Sequence, residues 1–202
     1  MRQANVESLE RRVKPVANLR TDEYGGSEEK RARFACEVVE SVRAHWPAHK
    51  PLFLRLSAED DAGFGPAQSV ALAARVGPLG IDVIDCGSGG ILGRAPAGAL
   101  KPAYGYQVPY ADRIRRETGI MTMAVGLMVH AGQAERILRQ GSADLVALAR
   151  EMLYNPNWAM DAAQELGLDA QFTMLPPPYR YWLARRAATV PQVRPSTFGT
   201  SA

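Results

Sequence analysis

Four short apolar runs, Leu52–Ser57, Ile81–Cys86, Met121–Val125 and Asp144–Leu148, alternate with segments of helical periodicity along this chain. Runs that are continuously apolar, rather than apolar at every second position, are the pattern of strands covered on both faces, the usual condition of a parallel sheet. Right-handed crossovers then place the helices outside and gather the strand ends on one rim. The order reads αβαβαβαβα, an α/β chain of four βα units.

The helical segments carry their own end signals. Ser27 is an N-cap, followed by Glu28 and Glu29 at the positive end of the helix dipole. The stripe expected to be buried from there is Phe34/Ala35, Val38/Val39, Val42 and Trp46, and Trp46-Pro47 ends the helix. Pro66 opens a second helix through about Val76, stopped by Gly77-Pro78. Ala111–Thr118 and Gly132–Gln140 are each followed by a C-cap glycine, Gly119 and Gly141. Arg150–Leu153 and Pro156–Leu166 read as one broken helix.

Composition narrows the function classes. At 202 residues, 47% apolar and 22% charged, the chain suits a single globular domain. It has no apolar run of the ~20 residues a membrane span needs, and its N-terminus lacks a secretory h-region. Cys36 and Cys86 form neither a disulfide framework nor a metal site by spacing, and no His/Cys/carboxylate cluster has ligand spacing. The expectation is a cytoplasmic protein with reduced thiols and no metal. Net charge is +3, with the arginines scattered apart from a loose group at Arg180, Arg185, Arg186 and Arg194. No nucleic-acid module accompanies them, so no nucleic-acid partner is expected.

Two loops carry the chemistry. Ala124-Val125-Gly126-Leu127 and Ala147-Leu148-Ala149-Arg150 each close an apolar run, one βα unit apart. In parallel βα architectures ligands gather at the carboxyl ends of strands, and the last two loops of (β/α)₈ barrels often hold a phosphate. A glycine lets backbone approach an anion and an arginine supplies a bidentate charge. The bland alternatives are a plain βα turn at Gly126 and a solvated first-turn residue at Arg150. Arg55 lies inside an apolar strand, where a cation needs an anionic partner: either a ligand or a strand carboxylate such as Asp85. Cys86 has no nearby His in sequence to make it a nucleophile.

The run Pro15-Val16-Ala17-Asn18-Leu19-Arg20-Thr21-Asp22-Glu23-Tyr24-Gly25-Gly26-Ser27 resembles the signature of the Old Yellow Enzyme family. These are FMN-dependent ene-reductases and NAD(P)H:flavin oxidoreductases. The likeness continues through Leu52–Ala58, Asp82–Cys86, Gly105–Pro109, Ala124–Gly126 and Ala143–Arg150, in the family's order and over about residues 15–185. It implies the C-terminal half of a TIM (β/α)₈ barrel, strands five to eight. The organisation expected is an unmatched leader at 1–14, a half-barrel at 15–170 and a Pro-rich tail at 171–202. A closed barrel takes ~250 residues, and four parallel strands alone leave two edges and a half-exposed interior.

Residue by residue, the resemblance implies that Arg55 faces the pyrimidine edge of the flavin. It makes Gly126, Leu127, Ala149 and Arg150 the phosphate loops, with Ala149 standing where many relatives have glycine. Arg20–Gly26 is expected to be architectural, Arg20 and Asp22 holding each other. Trp182, in Pro176-Pro177-Pro178-Tyr179-Arg180-Tyr181-Trp182, resembles a tail that reaches a neighbouring subunit's active site in some branches; packing on its own barrel wall is the alternative. Gly87–Pro109 reads as a rim loop.

The function implied is hydride transfer from NAD(P)H through FMN to an activated alkene such as an enone. The proton-donating tyrosine, the pair that binds the substrate carbonyl and the flavin-binding glutamine belong to the family's other half. No catalytic residue is therefore assigned, and Tyr24, Tyr104 and His130 are not moved into those roles. The chain reads as truncated, and the runner-up is a non-catalytic flavin- or phosphate-binding half-barrel that needs a partner half. Homo-oligomers are expected through the tail or the missing half. A Schiff-base aldolase ranks last, because no strand carries a lysine.

Overall fold

The computed structural model describes residues 11–61, 63–90 and 101–191. Most of the expected leader, the middle of the Gly87–Pro109 stretch, and Arg194 with the end of the tail lie outside the described residues. The chain divides into two compact units, Met1–Met128 with Arg136–Ala147, and Val129–Glu135 with Leu148–Ala202.

The first unit holds a sheet of four parallel strands in the order β1-β2-β3-β4. They are β1 (Phe53–Ser57), β2 (Val83–Gly87), β3 (Met121–Ala124) and β4 (Leu145–Val146). Helices α1 (Glu28–His45), α2 (Pro66–Val76) and α3 (Val108–Thr118) belong to the same unit. Helix α4 (Ala131–Arg139) is shared by the two units. The second unit contains α5 (Arg150–Tyr154), α6 (Trp158–Glu165) and α7 (Pro177–Thr189).

The end signals act as local chemistry predicts. Ser27 accepts the Lys30 N–H at 3.3 Å as the N-cap of α1, and Trp46 leaves the helix in extended backbone before Pro47. Gly119 closes α3 in the left-handed region at φ 74°. The helix α7 was not expected from sequence, because Pro176-Pro177-Pro178 reads as a stiff arm. Prolines in a first turn lack only N–H groups that have no intrahelical partner, so they start this helix instead of preventing it.

Register explains which side of the sheet is filled. Leu56, Cys86, Ala124 and Val146 are cross-strand partners in one row. Leu56, Cys86 and Ala124 there are 3%, 0% and 0% exposed. With Ile84 and Thr122 two positions along on the same face and Val39, Leu72, Val76, Tyr110 and Ile114 from the helices, they make the core of this unit. Each large aliphatic side chain so buried contributes about 2 kcal/mol of transfer free energy.

The opposite face departs from the expectation of strands covered on both sides. Only β2 is buried throughout, whereas Phe53, Met121 and Leu145 are 44%, 50% and 41% exposed. Continuous apolarity marks a strand that belongs against other protein on both faces; here, among the described residues, helices cover one face. The stripe of α1 is likewise narrower than expected. Ala32, Ala35 and Val39 are buried, while Val42 and Trp46 stay exposed, the indole donating to Pro51 O at 3.2 Å.

Candidate functional site

Arg55 and Asp85 are the charged side chains on the open face of the sheet. They stand directly across from each other in the β1–β2 register, with Met123 and Leu145 continuing the row. The Arg55 Nη1 donates to Asp85 Oδ2 at 3.0 Å. The Asp85 side chain is 10% exposed but that of Arg55 is 63% exposed, which corrects the premise that Arg55 is a buried cation. The carboxylate partner weighed for it is present, yet most of its guanidinium still faces outward. Asp85 Oδ1 is buried without a hydrogen-bond partner. Burial raises the Asp85 carboxyl above its ordinary value, against the opposing pull of Arg55. Gly87 ends β2 with no side chain, so the guanidinium lies close over it; a Cβ there would sit 3.4 Å from Arg55 Nη2.

At the carboxyl ends of the strands, three loops are tied to one another. After β1, Ala58 N–H donates to Gly87 O at 2.8 Å, and Gly89 N–H donates to Glu59 O at 3.1 Å. After β3, Gly126 O accepts the Gly105 N–H at 2.8 Å. Gln107, 5% exposed, sends its Nε2 to Ser88 Oγ at 2.6 Å. Tyr110 donates its hydroxyl to Glu59, and burial, with Glu59 adding to it, holds that proton well above the ordinary phenol range.

Gly126 adopts φ 106°, and a Cβ there would meet Gln107 Cβ and backbone N at 3.0 Å. The residue therefore has a packing reason to be glycine whatever the loop binds. Leu127 follows at φ 53°, a left-handed conformation that a leucine rarely adopts. Two successive residues with positive φ turn this loop in a way no ordinary βα turn requires, and such outliers concentrate at binding sites.

Behind the same rim, Lys14 Nζ and Asp60 Oδ2 are 2.7 Å apart with both side chains 0% exposed. Asp60 also accepts the Phe64 N–H at 3.1 Å and donates its own N–H to Phe64 O, closing the loop after β1. Lys14, placed in the leader by sequence, is part of this unit. Gln107 lies in the Gly105–Pro109 segment that carries the resemblance but has no role assigned to it there, and Lys14 is not singled out in sequence. A lone lysine has no pattern, and its only signal was its place between Val13 and Pro15.

The Arg20–Gly26 segment is a local brace. Arg20 Nε donates to Asp22 Oδ1 at 2.9 Å, and Asp22 Oδ1 accepts the Tyr24 N–H at 3.1 Å. The Arg20 hydrogen bond holds the Asp22 carboxyl down at about 2. A Cβ on Gly25 would fall 2.0 Å from Arg20 O, so only glycine closes this turn. Cys86 is wholly buried, and desolvation pushes its thiol up to about 12, leaving it inert as a nucleophile.

The remaining sequence candidates lie in the second unit. Ala149 caps α5 with φ −123°, so the departure from glycine costs no left-handed strain. Ala149 and Arg150 are both exposed. Trp182 is 65% exposed on α7, which buries none of its side chains, so packing against its own unit is not what holds it. Arg55, Gly126 and Leu127 lie in the first unit, and Ala149, Arg150 and Trp182 in the second.

A family model described as the NADH:flavin oxidoreductase / NADH oxidase family matches residues 3–169, beginning upstream of Pro15. An NADPH dehydrogenase of Geobacillus sp. (strain WCH70) is 48% identical over 157 residues, 77% of this chain and 44% of that protein. An NADPH dehydrogenase of Clostridium acetobutylicum is 44% identical over 171 residues, 83% of this chain and 48% of that protein. Among solved structures, histamine dehydrogenase from Rhizobium sp. 4-9 superposes with a TM-score of 0.66 at 26% identity, covering 81% of this chain and 24% of that one. A 2-naphthoyl-CoA reductase gives a TM-score of 0.68 at 22% identity, over 81% of this chain and 25% of that one, which bears on the fold alone. The chain thus spans less than half the length of these curated relatives.

Proposed function

The chain belongs to the NADH:flavin oxidoreductase / NADH oxidase family, and on that premise we propose that it supplies the flavin-phosphate side of an FMN-dependent oxidoreductase. In this reading the four βα units are the C-terminal half of a (β/α)₈ barrel, and the open face of the sheet is part of the barrel interior. Bound FMN would supply the hydride-carrying chemistry, taking hydride from NAD(P)H and passing it to an activated alkene such as an enone.

The residues of this chain have binding and electrostatic roles. Arg55 places a fixed positive charge on the open face, where negative charge on a reduced flavin ring needs one. Asp85 keeps the guanidinium oriented, and Gly87 leaves it room. The backbone of Gly126 and Leu127, with Ala149 and Arg150, is assigned to the phosphate; an arginine suits it because two parallel N–H donors match two phosphate oxygens. The observation that carries the reading is Arg55 itself, an outward-facing guanidinium on a sheet face that is otherwise apolar apart from Asp85 and two small residues.

The non-catalytic reading is favoured by one specific observation. Phe53, Met121 and Leu145 on that face are 44%, 50% and 41% exposed, and such a surface does not exclude water from a hydride donor. This chain alone is therefore expected to bind FMN weakly, to be colourless or faintly yellow, and to lack NADPH-dependent reduction of cyclohexenone. Trp182 is assigned to contact with a neighbouring subunit.

Quenching of FMN fluorescence on titration with the purified chain tests the assignment. Arg55→Ala and Arg150→Ala should each weaken the association about tenfold, the worth of one charge-assisted hydrogen-bond pair. Unaltered quenching in both variants refutes the cofactor assignment. Robust enone reduction by the unmodified chain refutes the claim that other groups are required.

A further inference from the structure

Helix α7 carries Arg180, Arg185 and Arg186 and not one carboxylate along Pro177–Thr189. Pro177, Arg180, Tyr181, Ala184 and Arg185 recur at helical spacing and, with Gln171 and Thr173, line a cleft of about 770 Å³. No acidic side chain lines it. Among the described residues, neither Arg180 nor Arg185 is in an ion pair.

Asp169, a carboxylate that feels the Arg180 charge, is already committed. Asp169 accepts the Thr173 N–H at 2.7 Å, the Thr173 hydroxyl at 2.9 Å and the Met174 N–H at 3.1 Å. Those bonds hold its carboxyl below the ordinary range, with Arg180 contributing only at a distance. Arg185 Nη1 reaches the Tyr181 hydroxyl at 3.3 Å, a long bond that leaves its other N–H groups available. Tyr181 packs edge-on against Trp182, ring centroids 5.1 Å apart, and the Arg185 guanidinium carbon lies 6.0 Å from the Trp182 ring centroid.

We propose that this cleft binds a phosphate monoester carried on a nucleotide. Two guanidinium groups with no carboxylate between them suit a dianion better than a single carboxylate, and a phosphate monoester carries about −1.5 to −2 at neutral pH. The cleft is far larger than a phosphate and falls within the ~300–1,000 Å³ of ordinary small-molecule sites. Tyr181 offers the remaining volume an aromatic face, against which a base stacks without regard to its identity. Two sources share this chemistry, the 2′-phosphate of NADPH and the phosphate of a free mononucleotide. The NADPH arm alone rests on the reductant proposed above; none of the cleft residues is among those assigned to FMN.

The test is calorimetric titration of the purified chain with NADPH, NADH, 5′-AMP, adenosine and inorganic phosphate. At least one phosphate monoester should bind about tenfold tighter than its counterpart without that group, NADPH against NADH or 5′-AMP against adenosine. Arg180→Ala and Arg185→Ala should each abolish that advantage, while Arg186→Ala, outside the cleft, should keep it. A preference confined to NADPH assigns the 2′-phosphate, and a preference for 5′-AMP assigns a mononucleotide. Far-ultraviolet circular dichroism confirms that each variant is folded, and Arg180→Lys, which keeps the charge without the fork, should retain part of the advantage. The proposal is overturned if both pairs bind equally, if inorganic phosphate alone binds, or if Arg186→Ala loses as much as the cleft variants. Arg150→Ala separates the two readings, since it should weaken FMN quenching while leaving the phosphate-monoester advantage at the cleft intact.

Discussion

The buried Lys14–Asp60 pair gives the most demanding prediction. Both side chains are 0% exposed and 2.7 Å apart, and the Lys14 ammonium lies 5.5 Å from the Phe64 ring centroid. Lys14→Met fills the same space with no charge and takes the cation away from Asp60, to which the Phe64 N–H still donates. Removing one member of a buried pair costs about 3–5 kcal/mol, because the other charge remains in low dielectric. The hydrogen bond from Phe64 offsets part of this, so the lower half of that range is expected. Against a total of about 5–15 kcal/mol for a typical domain, it is a large fraction.

The second arm of the experiment replaces both partners. Lys14→Met with Asp60→Leu removes the attraction and both desolvation penalties together, and swaps of that kind are often neutral or stabilising. The double variant should recover most of what the single variant loses. Hydrogen exchange of the β2 amides reads the opening of the first unit, in which both residues lie. A single variant that costs under about 1 kcal/mol refutes the burial argument, since surface pairs are worth no more than that. A double variant as unstable as the single one shows that the loop after β1, not the charge, is what Lys14 supports.

Three further outcomes follow from the same contacts. In a carbon-detected carboxyl titration, Asp22 should titrate near 2 rather than at its ordinary 3.8. Since its folded value is depressed, the brace it makes with Arg20 is fully present above the ordinary value and is lost as pH falls through about 2; a midpoint near 3.8, or no change in Arg20→Ala, refutes the brace. Cys86, with its thiol pushed up to about 12 by burial, should resist iodoacetamide in a Cys36→Ser background and react fully once urea is added; native-state labelling contradicts the buried placement. Gly126→Ala puts a Cβ 3.0 Å from Gln107 at φ 106°, so it should cost about 1–3 kcal/mol and loosen the Ser88–Gln107 contact in amide exchange; an unchanged urea midpoint refutes the close approach.

How much of this was legible in sequence depends on whether a feature is set locally. Ser27, Trp46-Pro47, Pro66 and Gly119 fixed helix ends within a residue or two, because capping is decided by neighbours along the chain. The strand centres were equally plain. What periodicity did not reveal is which apolar strand face is covered: Phe53, Met121 and Leu145 look like core and are exposed, because cover depends on other elements. Gln107 and Lys14 escaped for the same reason. One is a neutral amide and the other a lone charge, and each acquires its role only from a loop distant in sequence, Gly126 or Asp60. The helix at Pro177–Thr189 was missed because proline is a breaker inside a helix and a starter at its first turn, and the two differ only by register.

The open face and the candidate cofactor site are one physical feature. A sheet face that carries the exposed Phe53, Met121 and Leu145 lowers its free energy by being covered, and the Arg55 charge stands on that face in the row of Asp85, Met123 and Leu145. Whatever covers the apolar residues also withdraws water from around the guanidinium, and removing water strengthens its attraction for an anion. If the face holds the flavin as proposed, cover and cofactor affinity are linked: an element that packs there raises the affinity for a flavin, and a bound flavin raises the affinity for that element by the same factor. The Arg55–Asp85 pair sets the sign of that coupling. Asp85 is already buried and its charge disfavoured by desolvation, which Arg55 opposes; under the proposed assignment the same guanidinium also meets the ligand. The guanidinium can do both because it presents its donors in a fork, one edge for the strand carboxylate and the rest facing out; a lysine at this position would serve only one.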